Sequence, residues 1–374
     1  MDDNDEKVEF LVDKYTPNSI SDIYQPEYEY YNKLDKKSIK SLDWKDSSPD
    51  KCYFHKNILN RLKSISEDNS LPHIIFYGNP GTGKKTLINL FLEMIYDKSI
   101  YKLDDSKYTV MSSGNMENEI IVKQSDYHII IEPNNNNFDR YLIQDIVKEY
   151  AKRYPLCIYE NSRNFKIVQI NNLDNLSYYA QTSLRRTIEK YSKTCRFIMW
   201  CYSLSKVIEP LRSRCLCIHV PNQPEDDLIK WTFNISSLEK INLPINILNN
   251  IITNSNGNLK KILWKLDLYK FTNRVNNGYE KSLIKLLDSI KDNNIELIRE
   301  YVYKMMITNI EAKVIIKDLL NIILTKYINN YPKKVIEKVI EIASFYEYRL
   351  NKGRRDIIHI ESFILGITNF LNKN

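Results

Sequence analysis

The run Gly78-Asn79-Pro80-Gly81-Thr82-Gly83-Lys84-Lys85-Thr86 holds the residue types and spacing from which chemistry is first expected. It fits the pattern G-x-x-x-x-G-K, in which a glycine-rich turn lets backbone N–H groups converge on phosphate at a helix N-terminus. Lys84 is placed to reach the terminal phosphates. The next position should offer a Ser or Thr hydroxyl to Mg²⁺, but it holds Lys85. Thr86 lies a further turn of roughly 100° around the helix and cannot simply substitute. The loop therefore reads as able to hold nucleotide phosphates and poorly equipped to hold the metal. A Gly/Pro loop with an accidental lysine is the bland alternative, and the flanking elements speak against it.

Hydrolysis at such a loop needs a carboxylate at the end of a second strand to hold Mg²⁺ and a Glu beside it to orient water. The segment Phe165 to Ile170 runs instead into Asn171-Asn172-Leu173-Asp174. Asparagine offers oxygen without negative charge, so metal attraction and a general base are both lost. Asp174 reads as a turn or capping residue, and Ser177 is a natural N-cap for a helix starting at Tyr178. That helix, through Gln181 to Tyr191, carries several cations, among them Arg185. They form either a solvated face or a contact with phosphates or a neighbouring subunit. Pro210 to Cys215 sets Arg212 and Arg214 just before a strand. An arginine at that rim makes either a surface ion pair or a reach across a subunit boundary toward another γ-phosphate.

The elements that must position these residues follow from periodicity. Ile74 to Tyr77 is a short buried strand, and Leu87, Leu90, Phe91 and Met94 mark an amphipathic helix after the loop. Helical patterns are expected over 54–65, 139–150 and 178–191. Strands are expected over 107–110, 127–132, 165–170, 196–201 and 215–220. Mostly apolar strands alternating with helices predict a parallel sheet covered on both faces. Pro221 and Pro224 break the pattern, and the rest is nearly all helical, with one block over 225–270 and a second from about 276. Val335, Val339, Ile342, Tyr346 and Leu350 form an apolar stripe there, expected in a core or against a partner helix. The first ten residues are acidic and expected to be disordered. Residues 26–52 are polar, Tyr-rich and Lys-rich, and read as an exposed insertion.

At 374 residues the chain is long enough for two or three domains, and a net charge of +7 permits a polyanionic partner without demanding one. Six cysteines without C-x-x-C spacing and five dispersed histidines argue against a zinc site; no metal is expected. No signal peptide and no long apolar run is evident, so a reduced, soluble, intracellular protein is expected.

Leu11 to Pro17, Leu71 to Thr86, Gln181 to Tyr191 and Ser213-Arg214-Cys215 together resemble the small subunits of the eukaryotic clamp loader, replication factor C, an AAA+ assembly. The resemblance covers nearly the whole chain. It is nearest to the small subunit at the far end of the five-membered arc, whose phosphate loop also reads Gly-Lys-Lys-Thr. It implies an α/β AAA+ P-loop core over 1–222, with a parallel sheet and helices on both faces. A helical lid over 223–273 and an all-helical collar over 274–374 would follow. A hetero-pentamer would open a sliding clamp and place it on primer–template DNA. The setting would be the nucleus, or the replication compartment of a host cell if the source is a large DNA virus.

Carried onto this chain, the resemblance makes Arg214 a trans arginine finger for the neighbouring subunit. ATP or ADP would be held by Tyr15, Pro17, Gly78, Asn79, Pro80, Gly81, Thr82, Gly83, Lys84, Lys85, Thr86 and Lys260. Lys148, Lys152 and Arg185 are candidates for DNA phosphates. Several positions depart from the family. Asn171 and Asn172 replace Asp-Glu, Tyr202 replaces a sensor Asn, Thr16 stands for Arg, and Lys260 stands for the usual Arg. These departures put hydrolysis and Mg²⁺ binding at this subunit's own site in doubt. The rival readings are an intrinsically active DNA-dependent ATPase subunit, a scaffold without clamp loading, and a subunit of an alternative loader used in checkpoint or repair. A metabolic P-loop kinase is disfavoured, because the helical C-terminal third has no task there.

Overall fold

A computed structural model describes residues 10–17, 54–67, 71–96, 98–111, 117–133, 142–152, 165–274, 278–291, 295–308, 310–326, 332–350 and 355–371. The acidic N-terminus and the 26–52 insertion lie outside the described residues. Two compact units divide the chain, Met1–Asn273 and Arg274–Asn374.

The first unit opens with the single-turn helix α1 (Leu11–Lys14) and α2 (Lys56–Glu67), then β1 (Ile74–Tyr77) and α3 (Lys84–Tyr96). The strands β2 (Asp104–Met111), β3 (Glu117–Gln124) and β4 (His128–Ile131) follow. A π-turn at Leu142–Val147 leads into α4 (Lys148–Lys152). Next come β5 (Lys166–Ile170), α5 (Tyr178–Lys190), β6 (Cys195–Cys201), α6 (Glu209–Arg212) and β7 (Leu216–His219). Three helices complete the unit: α7 (Glu225–Leu238), α8 (Ile245–Thr253) and α9 (Leu259–Thr272). The expected single block over 225–270 is thus interrupted at Pro244, which precedes α8, and at the left-handed Asn256-Gly257 corner before α9.

The sheet order is β2-β3-β4-β5-β6-β1-β7. From β4 to β7 every pairing is parallel, whereas β2 pairs with β3 and β3 with β4 antiparallel. The expected parallel sheet thus holds from β4 to β7, and the antiparallel β2 and β3 extend it on one side. β3 has only three central apolar residues, Ile120 to Val122, between polar ends, too short a run to read as a strand from the sequence. The central strands are buried on both faces. On one face Ile74, Phe76, Ile167 and Ile198 meet α2 and α3 through Leu62, Leu87 and Phe91. On the other, Ile75, Val168, Phe197 and Met199 meet Ile143, Val147, Leu184 and Ile188. The three-layer arrangement holds the carboxyl ends of β1, β5 and β6 in one row, and that row carries the site.

The second unit is helical throughout its described residues: α10 (Gly278–Lys291), α11 (Ile295–Ile307), α12 (Ala312–Lys326), α13 (Lys333–Leu350) and α14 (Asp356–Leu371). Val335, Val339 and Leu350 of the predicted stripe are buried, and Ile342 and Tyr346 pack against the same core with Phe363 and Ile364.

Phe197 is fully buried in β6 between two parallel partners. Phe197→Ala is expected to cost about 3–5 kcal/mol of stability by cavity formation, read as an earlier denaturant midpoint. Tyr178→Ala, at a side chain 68% exposed, should shift the midpoint little.

Candidate nucleotide-binding site

β1 ends at Tyr77 and the chain turns through Gly78 to Gly83 into the N-terminus of α3. Two glycines are required by close approach. A Cβ on Gly78 (φ +152°) would lie 2.2 Å from the Val220 carbonyl oxygen, and one on Gly81 (φ +77°) 1.9 Å from Asn258 Oδ1. Asn258 caps α9 by accepting from Lys261 N–H, and Leu259 N–H donates to the Gly81 carbonyl at 3.1 Å. Helix α9 is therefore seated directly on the phosphate loop. Asn79 adds a hydrogen bond to Asn222 at 3.3 Å, and His55 Nε2 lies 2.9 Å from the Thr82 carbonyl.

Lys84 is buried, and its Nζ donates to the carbonyls of Gly78 (2.8 Å) and Asn79 (2.6 Å). The ammonium also sits 4.9 Å from the Tyr202 ring centroid and 5.6 Å from that of Trp200, a cation held against two aromatic faces. Burial pushes its pKa down to about 8, with Cys201 and Asp174 pulling the other way. A phosphate beside it would favour the charged form.

Around this loop lies a cavity of about 470 Å³. Val12, Tyr15 and Pro17 wall one side, Phe54, Trp231 and Leu238 give an apolar end, and Lys260 and Leu263 come from α9. Gly81, Thr82, Gly83, Lys84, Lys85 and Thr86 line the polar end. An apolar end for a base and an amide-rich, lysine-bearing end for phosphates fit a nucleotide. Gly78, Asn79 and Pro80 complete the loop without lining the cavity.

A divalent ion does not fit the residues present. Asn171, 2% exposed, accepts at Oδ1 from Gln169 Nε2 (3.0 Å) and Trp200 Nε1 (2.8 Å), which occupies both lone pairs. Its Nδ2 donates to Glu132 Oε1 at 2.7 Å, so its other face is a donor. Asn172 is left-handed (φ 50°, ψ 58°), with a buried Oδ1 that has no hydrogen-bond partner. It can accept a proton-bearing partner but carries no charge to deprotonate one. Lys85 points an ammonium to within 3.8 Å of Glu132 Oε1. Among the described residues no group of three or more His, Cys, Asp or Glu could hold a metal.

In the sequence Glu132 reads only as the end of a strand, with no part in the site. The register Ile131↔Ile170 makes it the neighbour of Asn171, a relation legible only once β4 and β5 are known to end together. Asp174 does act in a turn: its carboxylate accepts from Tyr202 N–H and Ser203 N–H, clamping the loop after β6. Ser177 supplies the cap for α5, accepting from Ala180 N–H at 3.3 Å.

The N-terminal segment is latched to the end of α7 and to α9. Glu239 accepts from Lys14 Nζ, Tyr15 OH and Lys270 Nζ, each at 2.8 Å, and Asp267 accepts from Leu11 N–H at 3.1 Å. Burial raises the Glu239 pKa, but the three donors outweigh it and bring the net value down to about 2. Thr16 donates to the Val12 carbonyl and closes the turn.

Away from the cavity, Arg214 Nε lies 2.6 Å from Glu189 Oε1, and Nη1 donates to the Pro210 carbonyl at 2.8 Å. Arg185 Nε shares the same carboxylate oxygen at 3.4 Å. Arg185 on α5 and the exposed Lys148 and Lys152 on α4 stand on helices that cover one face of the sheet.

A parallel core with the phosphate loop after β1, the paired Asn171-Asn172 step after β5 and the helix α9 seated on the loop define an AAA+ P-loop protein. Residues 54–224 match the family described as DNA polymerase III, delta subunit, and residues 281–374 match replication factor C subunit 3, C-terminal domain. A replication factor C small subunit of Acanthamoeba polyphaga mimivirus is 38% identical over 343 residues, covering 88% of this chain and 91% of that one. Replication factor C subunit 3 of Arabidopsis thaliana is 32% identical over 337 residues, covering 86% and 94%. The human subunit 3 is 31% identical over 324 residues, covering 83% and 90%. The chain belongs to the replication factor C small-subunit family.

Glu239→Gln is expected to cost about 1.5–3 kcal/mol through weakened charged hydrogen bonds, and to raise amide exchange over Leu11–Tyr15. Because the folded pKa lies below the unperturbed 4.5, the latch contributes fully above that value and fades as pH falls toward about 2. The variant should lack that part of the acid profile. Gly81→Ala should lower the thermal midpoint of the first unit, since the added methyl meets Asn258 and the backbone is left-handed.

Proposed function

We propose that this chain is a small subunit of a sliding-clamp loader that holds ATP or ADP in its own pocket with little or no hydrolysis and lends Arg214 to the neighbouring subunit. Its partners are the other subunits of a hetero-pentamer, the sliding clamp and primer–template DNA. Its setting is the nucleus or a viral replication compartment. The observation that carries the idle-pocket reading is the saturation of Asn171 by Gln169, Trp200 and Glu132. Neither residue of the Asn171-Asn172 step is a carboxylate, the neighbouring Glu132 carboxylate faces the Lys85 ammonium, and the Asn172 amide cannot act as a base.

Arg214 is exposed and anchored by an exposed carboxylate. Such a pair is weak, so the guanidinium can be given up to a triphosphate at a subunit boundary. We read residues 223–273 as the lid and 274–374 as the collar. Collar association is supported by exposed apolar side chains on the second unit, among them Ile307 (83%), Tyr348 (58%) and Phe345 (49%). Lys148, Lys152 and Arg185 are proposed to meet DNA phosphates, giving sequence-neutral, salt-sensitive binding. No helix among the described residues is long and apolar enough to cross a membrane.

Arg214→Ala in the reconstituted assembly should leave assembly intact. It should remove one site's share of ATP turnover, since a trans arginine accelerates its site by about 10³-fold or more. An unchanged rate would overturn the finger assignment. Lys84→Ala should change total turnover by less than about twofold; a collapse would mean that this pocket hydrolyses.

A further inference from the structure

The misfit between this pocket and a divalent ion carries an inference that rests on the nucleotide-binding reading above. We propose that the pocket takes its nucleoside di- or triphosphate without a metal ion, and that the Lys85 ammonium acts as a tethered cation in the ion's place.

Lys85 occupies the first turn of α3, at the position whose side chain would otherwise face the ion. Its Nζ lies 3.8 Å from Glu132 Oε1, and that oxygen is fixed by Asn171 Nδ2 at 2.7 Å. The helix therefore presents a cation, and the end of β4, one strand over from Asn171, presents a carboxylate. A bound Mg²⁺ beside two acids adds no net charge to the phosphate-loop lysine, and neither does Lys85 beside Glu132. The electrostatic balance of a metal site is reproduced by side chains alone.

Coordination chemistry points the same way. Mg²⁺ demands oxygen ligands in near-ideal octahedral geometry. Asn171 has no free lone pair, no hydroxyl stands at position 85, and an ammonium beside the carboxylate repels a second cation. The Lys85 and Glu132 side chains are 59% and 63% exposed, so the pair is loosely held. The ammonium is free to turn to a polyphosphate at the helix N-terminus, where Lys84 and the backbone N–H groups of the loop already favour anions.

The test is a titration of the 374-residue chain with a fluorescent ADP and a fluorescent ATP, in Mg²⁺ and in excess EDTA, for the wild type and Lys85→Thr. The wild-type Kd should agree between the two buffers within about threefold. Lys85→Thr, an exposed change checked by circular dichroism, should bind about tenfold more weakly in EDTA. Wild-type binding that falls tenfold or more in EDTA, or Lys85→Thr binding unchanged there, would overturn the tethered cation and leave the nucleotide reading standing. Absence of binding in both buffers would overturn both.

Discussion

The neutral amide of Asn171 joins the carboxyl ends of three neighbouring strands. It receives Gln169 from its own strand β5 and Trp200 from β6, and it donates to Glu132 at the end of β4. Trp200 in turn offers its ring to Lys84. An aspartate at 171 would have no proton for Glu132 and would set two carboxylates side by side at the sheet edge, an arrangement that resists ionisation of both. Asparagine at 171 and glutamate at 132 are thus parts of one arrangement. The pocket thus carries an amide at the end of β5, a carboxylate at the end of β4 and a lysine in the first turn of α3, the charge arrangement on which the proposed idle pocket rests.

The remainder of the first unit keeps this pocket closed and shaped. The N-terminus of α9 meets the phosphate loop through Asn258 on Gly81, while Glu239 gathers Lys14, Tyr15 and Lys270 to hold α1 against α7 and α9. Both contacts are built from groups that need no ion. Arg214 is separate from this machinery and shares the Glu189 carboxylate with Arg185. One oxygen therefore stands between the cation proposed to serve a neighbour and a cation on the helix proposed to face DNA.

Much of this was legible in the sequence because it rests on local rules. The phosphate loop between a four-residue apolar strand and an amphipathic helix, the Ser177 cap and the apolar stripe of α13 depend on residues near one another in the chain. The long-range relations were not legible. β3 holds only the three-residue apolar run Ile120 to Val122 between polar ends, so the antiparallel side of the sheet was missed. Glu132 and Asn171 are 39 positions apart and meet only through strand register. Asp174 could be recognised as a turn residue, but the loop it clamps, at Tyr202 and Ser203, lies a strand away. Tyr202 read as a lost sensor, and the fold makes it half of an aromatic cradle for Lys84.

The central claim is that this pocket holds nucleotide and does not turn it over, and it is best measured where every other pocket is silent. In a reconstituted assembly whose other subunits carry substituted phosphate-loop lysines, labelled ATP should bind to this chain and be recovered intact, with hydrolysis at the background rate in Mg²⁺. Steady magnesium-dependent release of phosphate from that assembly would contradict the account.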